Sequence, residues 1–288
     1  MAENIQKKID SVYNSLSKGH RKIADYIRAN YEKVSFMTAA SLGATVGVSE
    51  STVVRFATHI GFDGYPEFQK RLQEMVKNNL TSIQRMDAVS AAGDENLLDR
   101  AFAADIEMIK GTRDSVSRSA FAGAVEAINN AEKIYILGVR SSASLAGFAA
   151  FYFGFLFDNV ILVDTSASSE MFEQMFRIGS RDACIAVSFP RYSNRTVKAL
   201  EFAKSRGASI ISITDGPMSP IAEYATHLLV AKSSMVSFVD SLVAPLSLIN
   251  ALIAAVANER NEEVHANLEM LEEIWKQYHV YSGGEDKK

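Results

Sequence analysis

Apolar residues recur at three- and four-residue spacing through the first 77 positions, and then the period changes. Ile5, Ile9, Val12 and Leu16 form one stripe, and Ile23, Ala24 and Ile27 form a second. Thr38 to Val46 carries Ala39, Leu42 and Val46 on one side; Val53, Phe56, Ala57 and Ile60 repeat the spacing further on. Such stripes predict short amphipathic helices packed on a common core. Between the last two lies Gly47, whose backbone freedom suits a tight helix-to-helix turn. Two helices around a glycine-containing turn of about three residues make the helix-turn-helix pattern.

The pattern loosens from Asn78 to Asp99, where Thr81, Ser82, Ser90, Gly93 and Asp94 punctuate it, and a connector is expected there. Helices are expected over about Glu95 to Thr112 and Ser119 to Asn130. Five β-rich runs then alternate with helix-length stretches: Lys133 to Gly138, Val160 to Asp164, Ala183 to Ser188, Ala208 to Thr214 and His227 to Ala231. Strand–helix alternation predicts a parallel sheet between two helical layers, with right-handed crossovers. The expected fold is therefore an all-α helix-turn-helix head followed by a three-layer α/β domain with a five-stranded parallel sheet. The expected divisions are a head over 1–77, a connector over 78–108, an α/β domain over 109–257, and a C-terminal helix and tail over 258–288. In that tail Val264, Leu268, Leu271, Trp275 and Tyr278 have coiled-coil-like spacing, open to a dimer seam or to packing on the α/β domain.

The head carries chemistry suited to double-stranded DNA. Ser49 is placed as an N-cap, its hydroxyl accepting a backbone N–H of the helix that follows. The polar face of that helix presents Glu50, Ser51, Thr52, Arg55 and His59. Small hydroxyls at a helix start with an arginine one turn on suit a major-groove reader. Ser51, Thr52 and Arg55 are the expected operator contacts, with Ser49 at the helix start and His59 and Lys18 or Arg21 on the DNA backbone. Residues 1–77 hold eleven Lys/Arg against eight Asp/Glu, a net of +3, whereas the rest of the chain carries −7. A mildly basic head on an acidic body fits a protein that touches nucleic acid at one end.

In parallel α/β sheets ligands bind beyond the carboxyl ends of the strands. Two loops there are rich in hydroxyls and lead into helices: Gly138 to Ser142 (G-V-R-S-S) and Ser188 to Thr196 (S-F-P-R-Y-S-N-R-T). A helix N-terminus with serine hydroxyls and a nearby arginine suits a phosphate or carboxylate. Gly138, Arg140, Ser141, Ser142, Ser188, Arg191, Ser193 and Thr196 are the candidate ligand residues, and Arg191 can pair with an anion bidentately. Ser142 and Ser193 are also open to a plainer role as N-caps.

Composition narrows the remaining classes. At 288 residues, 48% apolar and 22% charged, the chain suits two globular domains. Its longest apolar run, Leu145 to Phe157, is too short for a bilayer and predicts a buried helix, so no membrane partner is expected. Met1 to Asp10 is polar, which predicts a cytoplasmic protein without a signal peptide. The single cysteine, Cys184, sits in a β-rich run and reads as a buried structural thiol. No P-loop, G-x-G-x-x-G or H-E-x-x-H occurs, and neither cofactor nor metal is expected.

A helix-turn-helix followed by a five-stranded α/β domain with paired serine loops resembles the RpiR family of bacterial transcription regulators along nearly the whole chain. In the head the matching segments are Ile23 to Asn30 (I-A-D-Y-I-R-A-N), Val48 to Phe62 and Gly64 to Phe68 (G-Y-P-E-F). In the body the two loops correspond to the serine loops of a sugar isomerase (SIS) domain. The resemblance implies a regulator that senses a phosphorylated sugar or related metabolite. Four positions depart from the family pattern. Arg140 stands where the first loop has a second glycine. In the second loop, usually Ser-x-Ser-Gly-x-Thr, Pro190 replaces the middle serine and Arg191 the glycine. Gly43 stands where the first motif helix has alanine, which suggests close packing there.

Three activities share this outline. An isomerase needs a general base, for which Glu170 and Glu173 are the available carboxylates and His265 the available imidazole. A scaffolded repressor would bind DNA without regard to ligand. A sensor would bind DNA according to its effector, and this is the expected function, without catalysis. Two DNA half-sites imply a homodimer or homotetramer.

Overall fold

The computed structural model describes residues 5–77, 83, 85–86, 96–163, 168–233 and 239–281. The expected connector over 78–108 lies largely outside the described residues up to 95. The chain divides into two compact units, the first ending at Glu95 and the second beginning at Asn96.

The first unit is helical: α1 (Ile5–Val12), a 3-10 turn at Tyr13–Ser15, α2 (Lys18–Val34), α3 (Ala39–Val46), α4 (Glu50–His59) and α5 (Tyr65–Lys77). Its core is the set of stripes expected from spacing: Ile5, Ile9, Leu16, Ile23, Ala24, Ile27, Leu42, Val53, Phe56, Ala57 and Ile60 are all buried. Phe62 and Phe68 complete it, with Phe68 edge-on to Phe56 at 6.5 Å and to Phe62 at 5.6 Å between ring centroids. The G-Y-P-E-F segment fixes α5 to this core. Glu67 Oε2 accepts the Asp63 N–H at 2.7 Å, closing the helix start. The Tyr65 hydroxyl and Gln69 Nε2 both donate to the Met37 carbonyl, at 2.7 and 2.9 Å. Burial pushes the Tyr65 phenol up to about 12, so it stays a donor throughout the working pH range.

The second unit opens with α6 (Leu97–Ser115) and α7 (Arg118–Asn129). β1 (Ile134–Gly138), β2 (Val160–Leu162), β3 (Ala183–Val187), β4 (Ser209–Thr214) and β5 (His227–Val230) form one sheet in the order β2-β1-β3-β4-β5. Every pairing is parallel. The helices between and after them are α8 (Ser142–Leu156), α9 (Ser168–Met175), α10 (Asn194–Ser205), α11 (Val243–Glu259) and α12 (Asn261–Gln277). α6 runs unbroken through residue 108 and α11 through residue 257, so the divisions drawn there from the sequence fall inside helices.

Alternation along the strands separates the two faces. Ile134, Ile136, Ile185, Val187, Ile211 and Ile213 pack with α7, α8 and α11. Tyr135, Leu137, Cys184, Ala186 and Ile210 pack with α9 and α10. β1 and β3, buried on both faces, are apolar almost throughout, as strands inside a parallel sheet must be. Cys184 is fully buried, and loss of solvation pushes its thiol up to about 12; it is structural.

One expectation is corrected. The apolar run Leu145 to Phe157 is helical as far as Leu156, but only one side of it is buried: Phe151 and Tyr152 are 61% and 40% exposed. They continue an aromatic row through Phe155 to Trp275 and Tyr281. Through this row, and an Asn267 side-chain bond to the Phe155 carbonyl at 3.2 Å, the C-terminal helix packs on the α/β domain. Among the described residues no helix is long and apolar enough to cross a membrane.

Candidate functional site

The turn between α3 and α4 is built on two glycines with different tasks. Gly47 takes φ +71°, the left-handed region that only glycine enters without strain. Val48 then donates its N–H to the Gly43 carbonyl at 2.9 Å, folding the turn back over α3. A Cβ on Gly43 would sit 2.9 Å from the Val48 carbonyl oxygen and 3.3 Å from the Glu50 nitrogen. That contact accounts for glycine at a position where the family carries alanine.

α4 begins with a network of hydroxyls. Ser49 Oγ accepts the Thr52 N–H at 3.3 Å and bonds Ser51 Oγ at 3.0 Å and Thr52 Oγ1 at 2.8 Å. Ser49 is thus the N-cap expected. Ser51, Arg55 and His59 are exposed along one face, while Thr52 is half-buried. Arg55 Nε donates to the Ser51 carbonyl at 3.2 Å, which fixes the root of the guanidinium.

The amino end of α2 lies against this helix: a Cβ at Gly19 would be 3.5 Å from Thr52 Cγ2. Lys18, the first residue of α2, is exposed. Arg21 is drawn toward the 3-10 turn, donating to the Asn14 carbonyl at 2.9 Å and lying 5.9 Å from the Tyr13 ring. His20, given no role by its sequence position, meets Phe56 edge-on at 5.6 Å and His59 at 5.5 Å. Burial, then the charges of His59 and Arg55, hold the His20 imidazole below its ordinary range. The pairing of His20 with His59 joins residues 39 apart, and no local pattern announces it.

The second set of candidates converges at the carboxyl ends of β1 and β3. These strands are neighbours, with Gly138 opposite Val187, and β1 is where the strand order turns back. That is the topological switch point, where ligands of such sheets bind. Gly138 lets α8 come down on the strand: a Cβ there would be 2.3 Å from the Ser142 carbonyl oxygen and 3.0 Å from the Ala146 methyl. Ser142 is buried inside the first turn of α8, so it is not the cap; Ser141 holds that position, exposed, without a side-chain capping bond. In the other loop Ser188 is buried and its N–H extends the sheet to the Ile213 carbonyl at 3.1 Å. Ser193 caps α10, accepting the Arg195 N–H at 3.2 Å. Thr196 is wholly buried one turn in, and its hydroxyl has no hydrogen-bond partner among the described residues.

Arg140 and Arg191 share an unusual backbone. Arg140 has φ +59° and Arg191 φ +57°, so both family glycine positions keep a glycine-like conformation while carrying arginine. Left-handed backbone at a non-glycine residue costs about 1–2 kcal/mol. Both side chains are exposed. The second loop is also braced from β4: the Tyr192 hydroxyl donates to Asp215 Oδ1 at 2.6 Å, and Thr214 Oγ1 donates to the same oxygen at 3.3 Å. Glu170 and Glu173, the carboxylates available for base chemistry, are exposed on α9, and exposed His265 lies 3.4 Å from Glu269 on α12. A cavity of about 490 Å³ lies at the opposite, amino-terminal edge of the sheet, lined by Gly123, Glu126, Arg181 and His227. The chemistry of the loops sits at the other edge.

A hydroxyl-capped recognition helix over a glycine turn, together with a five-stranded parallel domain of the SIS type, defines a helix-turn-helix transcription regulator. The family models agree: the helix-turn-helix domain of the rpiR family matches residues 3–79, and the SIS domain matches residues 127–255. The chain belongs to the RpiR family. It is 30% identical over 231 residues, 79% of each chain, to an HTH-type transcriptional regulator of Haemophilus influenzae. To the HTH-type transcriptional regulator HexR of Escherichia coli it is 25% identical over 95% of each. Among solved structures it resembles the sugar isomerase domain of an RpiR transcription factor from Sphaerobacter thermophilus, at 30% identity and TM-score 0.59, covering 62% of this chain and 99% of that one. The fold of Vibrio vulnificus NanR, solved with ManNAc-6P, matches over 94% of this chain and 98% of that one, at 24% identity and TM-score 0.58.

Proposed function

We propose that the α/β domain of this regulator senses a phosphorylated sugar or a related anionic metabolite, and that the bound effector sets the affinity of the head for its operator. The observation that carries this reading is the pair of left-handed arginines, Arg140 and Arg191, on loops that leave adjacent strands at the switch point and enter helix N-termini. The amino ends of α8 and α10, the Ser141 hydroxyl and two guanidinium forks offer an anion what it needs. NanR, a relative in fold, binds a sugar phosphate. The pocket acts as a sensor without catalysis: the relatives are named as regulators, and the available carboxylates are exposed on α9. The regulator works in the cytoplasm on double-stranded DNA.

A homodimer or homotetramer presents two heads to two half-sites about 34 Å apart. Self-association is supported by apolar side chains that α6 leaves open: Leu98, Phe102 and Ile106 are 67%, 63% and 49% exposed. An effector that favours one placement of the heads changes DNA affinity by a coupling of about 1–3 kcal/mol.

Melting the protein against sugars, polyols and their phosphorylated forms tests the effector. One phosphorylated compound at about 100 times its dissociation constant adds roughly 2.7 kcal/mol, a rise of several degrees. Arg191→Ala and Ser193→Ala should abolish the rise. An equal shift from the unphosphorylated sugar, or none from any anion, overturns the reading. For the head, Arg55→Ala should lose about 1–3 kcal/mol of discrimination at one base position. Normal operator selection by that variant would remove Arg55 as the base reader.

A further inference from the structure

The histidine pair of the head carries a role that the recognition helix alone does not. We infer that His20 and His59 form a two-imidazole clamp for one DNA backbone phosphate, and that closing it takes up a proton. The inference rests on the DNA-binding reading and adds to it a named contact and a pH dependence.

The geometry comes first. His20 sits in the first turn of α2, whose amino end lies against α4, and His59 ends α4. Their centroids are 5.5 Å apart with the rings tilted by 54°, a separation that lets both donate to the oxygens of one tetrahedral anion. Phe56, edge-on to His20 at 5.6 Å, holds that ring in place from below. His59 is exposed and His20 half-exposed, on the same side of the head as exposed Arg55. The clamp therefore borders the face assigned to the groove, which is where a helix-turn-helix protein meets the sugar-phosphate backbone.

The charges that shift His20 are all of one sign. His59 and Arg55, both on α4, act on His20, and on its own helix Lys18 and Arg21 are sequence neighbours. α5 approaches through Phe68, which meets Phe56. Of the three carboxylates on the two helices, Asp25 is bonded by the Tyr13 hydroxyl at 2.6 Å, Glu32 lies toward the carboxyl end of α2, about three turns from His20, and Glu50 starts α4 at the end remote from His59. No carboxylate is among the groups that shift His20. Burial first, and then the neighbouring His59 and Arg55, hold the His20 imidazole below its ordinary range in the unbound protein. A phosphate set between the rings reverses the balance, because its negative charge favours the imidazolium. Binding then raises the affinity of His20 for a proton. By linkage, DNA affinity rises as pH falls through the window between the unbound and bound ionisations, and levels off on either side.

The test uses the full-length protein and a duplex that it selects from a random-sequence pool. Anisotropy titrations at constant salt should show affinity rising about fivefold to tenfold from pH 8 to pH 6, the range over which an imidazole ionises. His20→Gln and His59→Gln should each flatten this to less than about twofold, while His265→Gln, on α12, keeps the wild-type slope. At pH 6 each head variant should also shed about one unit from the slope of log affinity against log salt, the signature of one lost phosphate contact. Calorimetry of the wild-type protein in buffers of different ionisation enthalpy should register proton uptake on binding, an arm that stands even if His20→Gln fails to fold. An unchanged pH slope in folded His20→Gln, or no proton uptake by the wild type, overturns the clamp while leaving DNA binding intact. Failure to select any duplex overturns both the clamp and the DNA-binding reading beneath it.

Discussion

The head and the α/β domain both turn the backbone left-handed at their functional edges, and they do so with opposite residues. In the head Gly47 takes φ +71°, and a Cβ there would meet nothing within 4 Å, so only conformation is at stake. In the α/β domain Arg140 and Arg191 take φ +59° and +57° without glycine's freedom. A turn that only has to reverse the chain uses the residue that does so without strain. On the proposed reading, a turn that keeps a long cationic side chain against that strain keeps it for the anion that the side chain would bind.

Substitutions can break or sharpen this contrast. The largest effect belongs to Gly138, where the obstacle is contact and not conformation. Gly138→Ala places a methyl 2.3 Å from the Ser142 carbonyl oxygen, and should cost about 3 kcal/mol in urea unfolding as α8 is forced off β1. A variant with wild-type stability would mean that α8 yields easily and that the loop is not held as described. Gly47→Ala comes next. With open space around it, only the left-handed penalty applies, about 1–2 kcal/mol. Thermal melting should show that loss with the fold retained, whereas a complete loss of helix by circular dichroism would mean that the turn holds more than its shape. Smallest, and opposite in sign, is Arg191→Gly. Strain relief outweighs the added freedom of the unfolded chain, so stability should rise by up to about 1 kcal/mol. The same variant should lose the melting shift given by the phosphorylated effector. A variant that is both less stable and still responsive would dissolve the contrast between the two kinds of turn.

The parts legible in the sequence are those fixed by near neighbours. Ser49 and Ser193 read as caps because the groups they bond lie two or three residues on. The strands read as strands because β1 and β3 are buried on both faces and so are apolar without interruption. Gly43 reads as a place of close packing, and the Val48 carbonyl lies close to where its side chain would be. What the sequence hides depends on distant segments. Ser142 looks like a cap but lies inside its helix, because Gly138 draws α8 down onto β1. Phe151 and Tyr152 belong to an apolar run yet face outward, because the sheet covers only one side of α8. Tyr192 and Asp215 are 23 residues apart and meet because β3 and β4 are adjacent. His20 and His59 meet for the same kind of reason.

Cys184 gives the molecule a clock of its own. It is the single cysteine of the chain, the second residue of the third strand, flanked by β1 and β4 and packed with α9 and α10. A thiol reagent reaches it only when the sheet opens, so the labelling rate in native buffer counts openings of the α/β domain one event at a time. The head has no thiol and is silent in that signal. An effector that binds the loops should slow the clock, and DNA added alone should show by the same count how much of its binding energy reaches the sheet.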